Sequence, residues 1–199
     1  NAALCAARMA AWLELAPPDG MVLETEAGNL EARCLAGEEE LAEIAVPEPQ
    51  SISEPAIELC PGEVSISLTT VAVPHLVVVV AELAAVPLLR RGPELRSHPA
   101  VGEGGSNVNF IALDGDSWAM RTYERGVEAE TLACGTGAVA AAAVLSKRGK
   151  ITLPWTVRAR SGAHLTVRAR VAEPGRLLDP RLRGEARLVF RAILGSLPL

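Results

Sequence analysis

From Glu124 to Val144 the chain reads ERGVEAETLACGTGAVAAAAV, and this stretch restricts the fold more than any other. Cys134 ends a polar approach. Gly135, Thr136 and Gly137 follow, and then the alanine-rich run Ala138 to Ala143. The pattern predicts a helix from Thr136 to about Arg148, stopped by Gly149. Its first N–H groups have no partner inside the helix and point back toward Cys134. A helix start also carries partial positive charge and is a ready anion site. The expectation is therefore a thiolate-prone cysteine, with a pKa below the ordinary value of about 8.5. A bound carboxylate could use the same N–H groups. The plainer alternative is a small apolar cysteine packed at a helix start.

Composition narrows the setting. The chain has 199 residues, enough for one large domain or two small ones. The apolar run Leu76 to Ala81 has the length of a strand, and no apolar run approaches the roughly 20 residues of a membrane span. No secretory signal is visible at the start, which is Asn and not Met, so the true N-terminus is expected upstream. The four cysteines, Cys5, Cys34, Cys60 and Cys134, lack CxxC spacing, which argues against common zinc sites and a disulfide framework. A reducing, cytoplasmic setting is expected, with no metal.

The net charge of −5 conceals an asymmetry. Residues 1–99 hold 5 Arg against 15 acids, a balance of −10; residues 100–199 hold 14 Lys or Arg against 9 acids, a balance of +5. The basic half does not read as a nucleic-acid surface. Its arginines alternate with other residues, as in Val157-Arg158-Ala159-Arg160, which is the period of a strand with one wet face. Aromatics for stacking on bases are nearly absent.

Taken in order, Asn1 to Leu15 reads as a helix stopped at Pro17-Pro18-Asp19-Gly20. Met21 to Leu35 reads as a hairpin hinged at Gly28-Asn29, and Leu41 to Val46 as a strand. Glu38 to Glu40 reads as a solvated turn. A proline-punctuated connector follows to Pro61. Strands are expected at Val64 to Val73 and Leu76 to Ala81, broken by Pro74-His75. A short helix is expected around Pro87 to Arg96, then a loop from Gly102 to Ser106. Strands at Asn107 to Leu113 and Ser117 to Arg125 lead into the central stretch. After the helix, strands are expected at Ile151 to Leu153, Thr156 to Arg160, Leu165 to Val171 and Ala186 to Leu194.

Helix, turn and hairpin thus occur twice in one order, at Asn1 to Leu35 and at Thr136 to Val171. Superposing the helices sets Asn1 opposite Thr136 and Gly28 one residue from Gly162. A partner for Cys134 is then expected just upstream of Asn1, as a Cys-Gly pair. The expected fold is α+β with two pseudo-symmetric lobes, the first incomplete. Residues 1–45 are the remnant of the N-terminal lobe, 46–182 the C-terminal lobe, and 183–199 a closing strand returning to the first.

Two cysteines at two helix starts suit proton transfer at carbon. One thiolate removes a proton from one face, and the other thiol delivers one to the opposite face. Backbone N–H groups aimed at a substrate carboxylate would stabilise the carbanion. Glu124 and Arg125 precede the cysteine and could read the ammonium and carboxylate ends of an amino acid; a surface ion pair is the alternative. His75 reads either as a structural histidine or as a pKa modulator. Asn109 reads as an edge-strand polar residue or as a substrate contact.

These residues carry a resemblance. YERGVEAETLACGTGAVAAAAV resembles the second signature of the diaminopimelate epimerase family. In the same order NVNF at Asn107 to Phe110, Pro74-His75, RSGAHLTVR and GEARLVF are similar to it too, and Asn1-Ala2-Ala3-Leu4-Cys5 resembles the tail of the first signature. The resemblance implies two lobes, each an antiparallel β-barrel-like sheet around a central helix. It implies interconversion of LL- and meso-diaminopimelate for lysine and peptidoglycan synthesis, without pyridoxal phosphate or metal. Cys134 matches the catalytic base of the second lobe, with His75 and Glu124 matching groups that tune the cysteines. Asn1, Asn109, Glu124, Arg125, Gly135 and Thr136 match substrate contacts. Cys5 matches a non-catalytic cysteine and is expected to be buried. Val73 stands where the family has Asn, which keeps a proline-type racemase of the same fold in view. A non-catalytic binding module is a third reading, and a homodimer is compatible with the sequence. Taken as given, the 199 residues are expected to be inactive alone.

Overall fold

The computed structural model describes residues 2–26, 28–37 and 40–192. The second lobe is built around α3, Gly135–Lys147. Every residue of this helix from Ala138 to Leu145 is fully buried. A helix that is apolar on all sides has no face to offer water and must be enclosed. Its alanines are small enough for a sheet to close around it. The strands that do so are β4 (Glu63–Val71), β5 (Val73–Val80), β6 (Asn107–Asp114), β7 (Ser117–Glu124), β9 (Trp155–Arg158), β10 (His164–Glu173) and β11 (Arg176–Glu185). They lie in the order β11-β10-β9-β7-β6-β5-β4, with the short β8 (Ala129–Thr131) paired to β7. Strands β10 and β4 stand far apart in that order, yet both contact α3, so the sheet curls round the helix.

Two junctions are parallel, β5 with β6 and β7 with β9; the other pairings described are antiparallel. Strand β5 contains the unbroken apolar run Leu76 to Val80, which fits a strand covered on both faces. Val77 packs in the core with α3, while Leu76 and Val78 join a second core with Phe110 beneath α2, Leu88–Arg96.

The first half consists of α1 (Ala2–Trp12), β1 (Met21–Thr25), β2 (Gly28–Cys34) and β3 (Leu41–Ala45). Strand β3 pairs antiparallel with β11, so one continuous sheet runs through both halves. The order α1-β1-β2-β3 matches α3-β9-β10-β11, and the two units meet through their third strands. Gly28 and Gly162 both have positive φ, at 109° and 87°, in the corresponding hairpins. Arg33, Glu43 and Arg183 stand side by side across β2, β3 and β11, with the Glu43 carboxylate buried and 2.5 Å from Arg33.

Several elements depart from expectation. Pro74-His75 does not interrupt the sheet; both lie inside β5, and the chain reverses at Ala72, whose φ is 60°. Pro74 is tolerated because the β6 ladder begins only at His75, so its missing N–H falls near the strand start. Gly28 is the first residue of β2 and not the hinge tip. Ile151 to Leu153 forms no strand, and β8 was not anticipated. The closing strand begins ten residues early: β11 covers Arg176–Glu185, while 186–192 form no strand and 193–199 lie outside the described residues. The expected lobe boundary at 183 therefore falls within β11. Asn1 and the tip of the Glu38 to Glu40 turn, 38 and 39, also lie outside the described residues.

Candidate active site

The starts of the two helices converge on β11. A side chain on Gly135, the first residue of α3, would overlap Leu182. At Gly184, two residues along the same strand face, a side chain would stand 3.0 Å from Leu4 of α1 and 3.0 Å from Leu165. Residues two apart on a strand share a face and are separated by roughly 7 Å. The first turn of α1 and the first turn of α3 are thus packed against neighbouring positions of a single strand.

Cys134 is the N-cap of α3, in extended conformation with φ −134° and ψ 105°. Its carbonyl accepts from Ala138 N at 3.0 Å, and its Sγ stands 3.9 Å from Thr136 Oγ1. The sulfur is buried, with the residue 6 % exposed. Burial pushes the thiol pKa up; the Gly137 N–H pulls it down, the Glu124 carboxylate raises it and the Thr136 hydroxyl lowers it. The net direction is upward, which corrects the expectation of a thiolate-prone cysteine. The helix start does favour the anion as argued, but desolvation is the larger effect.

Glu124 ends β7 and Arg125 follows it, both half-buried. Arg125 donates from its backbone N–H to Asn107 Oδ1 at 2.8 Å, and its guanidinium donates to the Gly104 and Gly105 carbonyls at 3.1 and 3.3 Å. Among the described residues neither side chain forms an ion pair, so the surface-pair alternative is not what the structure shows. The Glu124 carboxylate acts on the Cys134 thiol, and the Arg125 guanidinium acts on His75.

Asn109 is fully buried on the α3 side of β6, which removes the edge-strand reading. Its Oδ1 accepts from Thr122 Oγ1 at 3.0 Å, and its Nδ2 donates to Leu76 O at 3.1 Å and meets His75 Nδ1 at 3.2 Å. Both ends of the amide are occupied, so Asn109 forms the wall of the site and not its surface. Asn107, two residues earlier on the same strand face, lies nearer the mouth, 5 % exposed and bonded to Arg125. Sequence reasoning missed it, although the alternation in NVNF puts both asparagines on one face.

His75 is buried, and burial lowers its pKa from 6.5 to about 4, with nearby Arg125 adding to the drop and the Val71 backbone opposing it. The ring is neutral near pH 7. Between pH 6.5 and 4 the unfolded chain binds a proton that the folded chain refuses. Stability is therefore full above that window and falls as pH drops through it, by about 3 kcal/mol in all at 1.36 kcal/mol per unit. Urea unfolding from pH 7 to 4 is expected to show this decline, and His75→Gln to remove most of it. A decline of equal size in the variant would assign it to other groups.

Gly135 and Thr136 occupy the first turn of α3, as the sequence suggested. Cys5 does not match expectation: it is exposed on the outer side of α1, and the buried cysteine packed against this helix is Cys34, its Sγ 3.8 Å from Ala7 O. Only Leu4 and Ala7 of α1 are buried, so the helix turns one narrow stripe inward and Cys5 lies off it. Among the described residues no cluster of three or more His, Cys, Asp or Glu could hold a metal ion, and no helix is long and apolar enough to cross a membrane.

The sequence profile of the family described as diaminopimelate epimerase matches residues 67–173. The chain is 38% identical to the diaminopimelate epimerase of Gemmatimonas aurantiaca over 207 aligned positions, covering 99% of this chain and 73% of that protein. Among solved structures, a probable proline racemase from Agrobacterium radiobacter superposes with a TM-score of 0.69 at 21% identity, over 92% of this chain and 63% of that one. A protein described as a predicted epimerase from Pseudomonas aeruginosa gives 0.65 at 20% identity, over 98% of this chain and 73% of that one. At these identities the two structures speak for the fold alone.

Proposed function

Because this chain belongs to the diaminopimelate epimerase family, a family of isomerases, we propose that it epimerises an α-amino acid without a cofactor, with Cys134 as one of two acid/base groups. The proposed substrate is diaminopimelate, and the proposed setting is the cytoplasm, where its free thiols would stay reduced. One observation carries the reading: a buried thiol at a helix start feels the carboxylate of Glu124, which no ion pair among the described residues neutralises.

In this reading the substrate carboxylate takes the first N–H groups of α3, and Glu124 and Arg125 face the charged ends of the amino acid. The partner base breaks the Cα–H bond and takes the proton as its own S–H. The electron pair stays on the α-carbon, stabilised by the helix start. Cys134 then gives its S–H proton to the opposite face. In the reverse direction Cys134 is the acceptor. The raised thiol pKa fits a resting site in which Cys134 holds its proton and acts first as donor. The partner is proposed as a cysteine at the matching start of α1, ahead of Asn1. The support for it is the packing of α1 and α3 on neighbouring residues of β11.

The test is a substrate panel on the gene product expressed from its own start codon. Loss of optical purity at the α-carbon is expected with LL-diaminopimelate and not with L-proline or trans-4-hydroxy-L-proline. Turnover of the imino acids alone would move the assignment to a racemase of the same fold, for which Val73 gives a reason. Turnover of none would leave a binding module.

A further inference from the structure

The buried chain Thr122–Asn109–His75 lies outside the chemistry just described, and its bonding is determined by elimination. Leu76 O can only accept, so the end of the Asn109 amide that faces it at 3.1 Å is the NH₂ group. The amide oxygen then faces Thr122, whose hydroxyl donates to it at 3.0 Å. The same NH₂ group lies 3.2 Å from His75 Nδ1, which must therefore accept. A neutral ring accepting at Nδ1 carries its hydrogen on Nε2, and that atom has no partner of hydrogen-bond geometry among the described residues. Asn109, Thr122 and His75 are all at most 2 % exposed, so water cannot take over a missing bond.

The amide also touches the proposed site. A methyl group on Gly137 would overlap Asn109 Oδ1 on one side and stand 3.0 Å from Cys134 Sγ on the other. The Asn109 oxygen and the Cys134 sulfur therefore border the same glycine, in the turn whose Gly137 N–H favours the thiolate. Rotating the amide by half a turn would set its oxygen against Leu76 O and its bulkier NH₂ against Gly137. The Leu76 carbonyl, which can only accept, selects between the two orientations; the Thr122 hydroxyl, reaching across from β7, holds the amide oxygen in place beside Gly137.

We propose that Thr122 is a positioning residue for Cys134: by holding the Asn109 amide oxygen against Gly137, its hydroxyl seats the first turn of α3 beside the thiol. The assignment rests on the proposed role of Cys134, but one of its readouts needs no turnover.

The experiment compares Thr122→Val, which removes the hydroxyl at nearly constant shape, with Thr122→Ser, which keeps it. With three histidines in the chain, ¹⁵N spectra at pH 7 resolve the tautomer of each imidazole, and His75→Gln assigns the signal. All three proteins are expected to show the Nε2–H form alone, since the Leu76 carbonyl holds the amide orientation in each, so the spectra establish that the buried chain is intact where labelling is compared. Iodoacetamide labelling of Cys134, followed by peptide mass, is expected to accelerate several-fold in Thr122→Val as the turn loosens, and to stay unchanged in Thr122→Ser. In the active gene product kcat is expected to fall on the order of tenfold in Thr122→Val, the size of one lost hydrogen bond, with KM little changed. An unchanged labelling rate in a Thr122→Val protein with the wild-type imidazole spectrum would overturn the proposal, as would a Thr122→Ser protein that behaves like Thr122→Val. A wild-type protein that turns over no amino acid would instead sink the functional reading, while the labelling still decides the role of Thr122.

Discussion

Replacing Cys134 with alanine is expected to abolish turnover, lowering kcat by at least about 10³-fold, within the range for loss of a positioned acid or base. The fold should survive. Alanine keeps the Cβ and removes only the sulfur atom from the core that Cys134 shares with α3. Circular dichroism and urea midpoints should therefore stay close to wild type while the rate disappears. Cys134→Ser should fare no better, because a serine hydroxyl is far too weak an acid to alternate as donor and base. Cys5→Ala, on the exposed side of α1, supplies the control and should leave the rate unchanged. Loss of activity together with loss of folding would mean that Cys134 is a packing residue.

The second large effect is expected at Gly137. Its φ is not positive, so the backbone does not demand glycine there, and alanine would gain about 1 kcal/mol of helix propensity. Packing opposes this. The added methyl would overlap the Asn109 amide oxygen, and both that amide and the helix are enclosed by sheet. Overpacking of a closed core costs about 1–3 kcal/mol and at times more, so the clash outweighs the propensity. Gly137→Ala is expected to be about 2 kcal/mol less stable by urea unfolding. Its kcat should fall on the order of 10²-fold, as for a catalytic group displaced by about 1 Å. A variant more stable than wild type would show that the turn has room, and that the Asn109 amide does not seat it.

What the sequence revealed and what it hid follow from how far each property reaches along the chain. Helix α3, Cys134 at its start and the β6–β7 hairpin depend on local pattern, and all three were legible. Strand β11 was not, because Asp179 and Pro180 resemble a break. In the sheet they form a bulge, with Asp179 at φ 49° and the ladder shifting opposite Arg168 to Arg170, which takes the proline out of regular pairing. The direction of the Cys134 shift was misjudged because a helix start is visible in sequence, whereas the depth of burial depends on strands far away in the chain. The same applies to Asn109. Alternation placed it on the face it shares with Asn107, but only the closed sheet shows which of the two is sealed behind Gly137. Cys5 shows the reverse case: helical spacing alone does not say which side of α1 meets the sheet.

The central claim is that Cys134 moves a proton at the α-carbon of an amino acid. Its most direct test is solvent deuterium uptake by LL-diaminopimelate in D₂O, followed by NMR with the gene product and its Cys134→Ala variant. The account predicts deuterium at the α-carbon, appearing with inversion in the wild type, and none in the variant above the background without protein. Equal uptake in both proteins would contradict it.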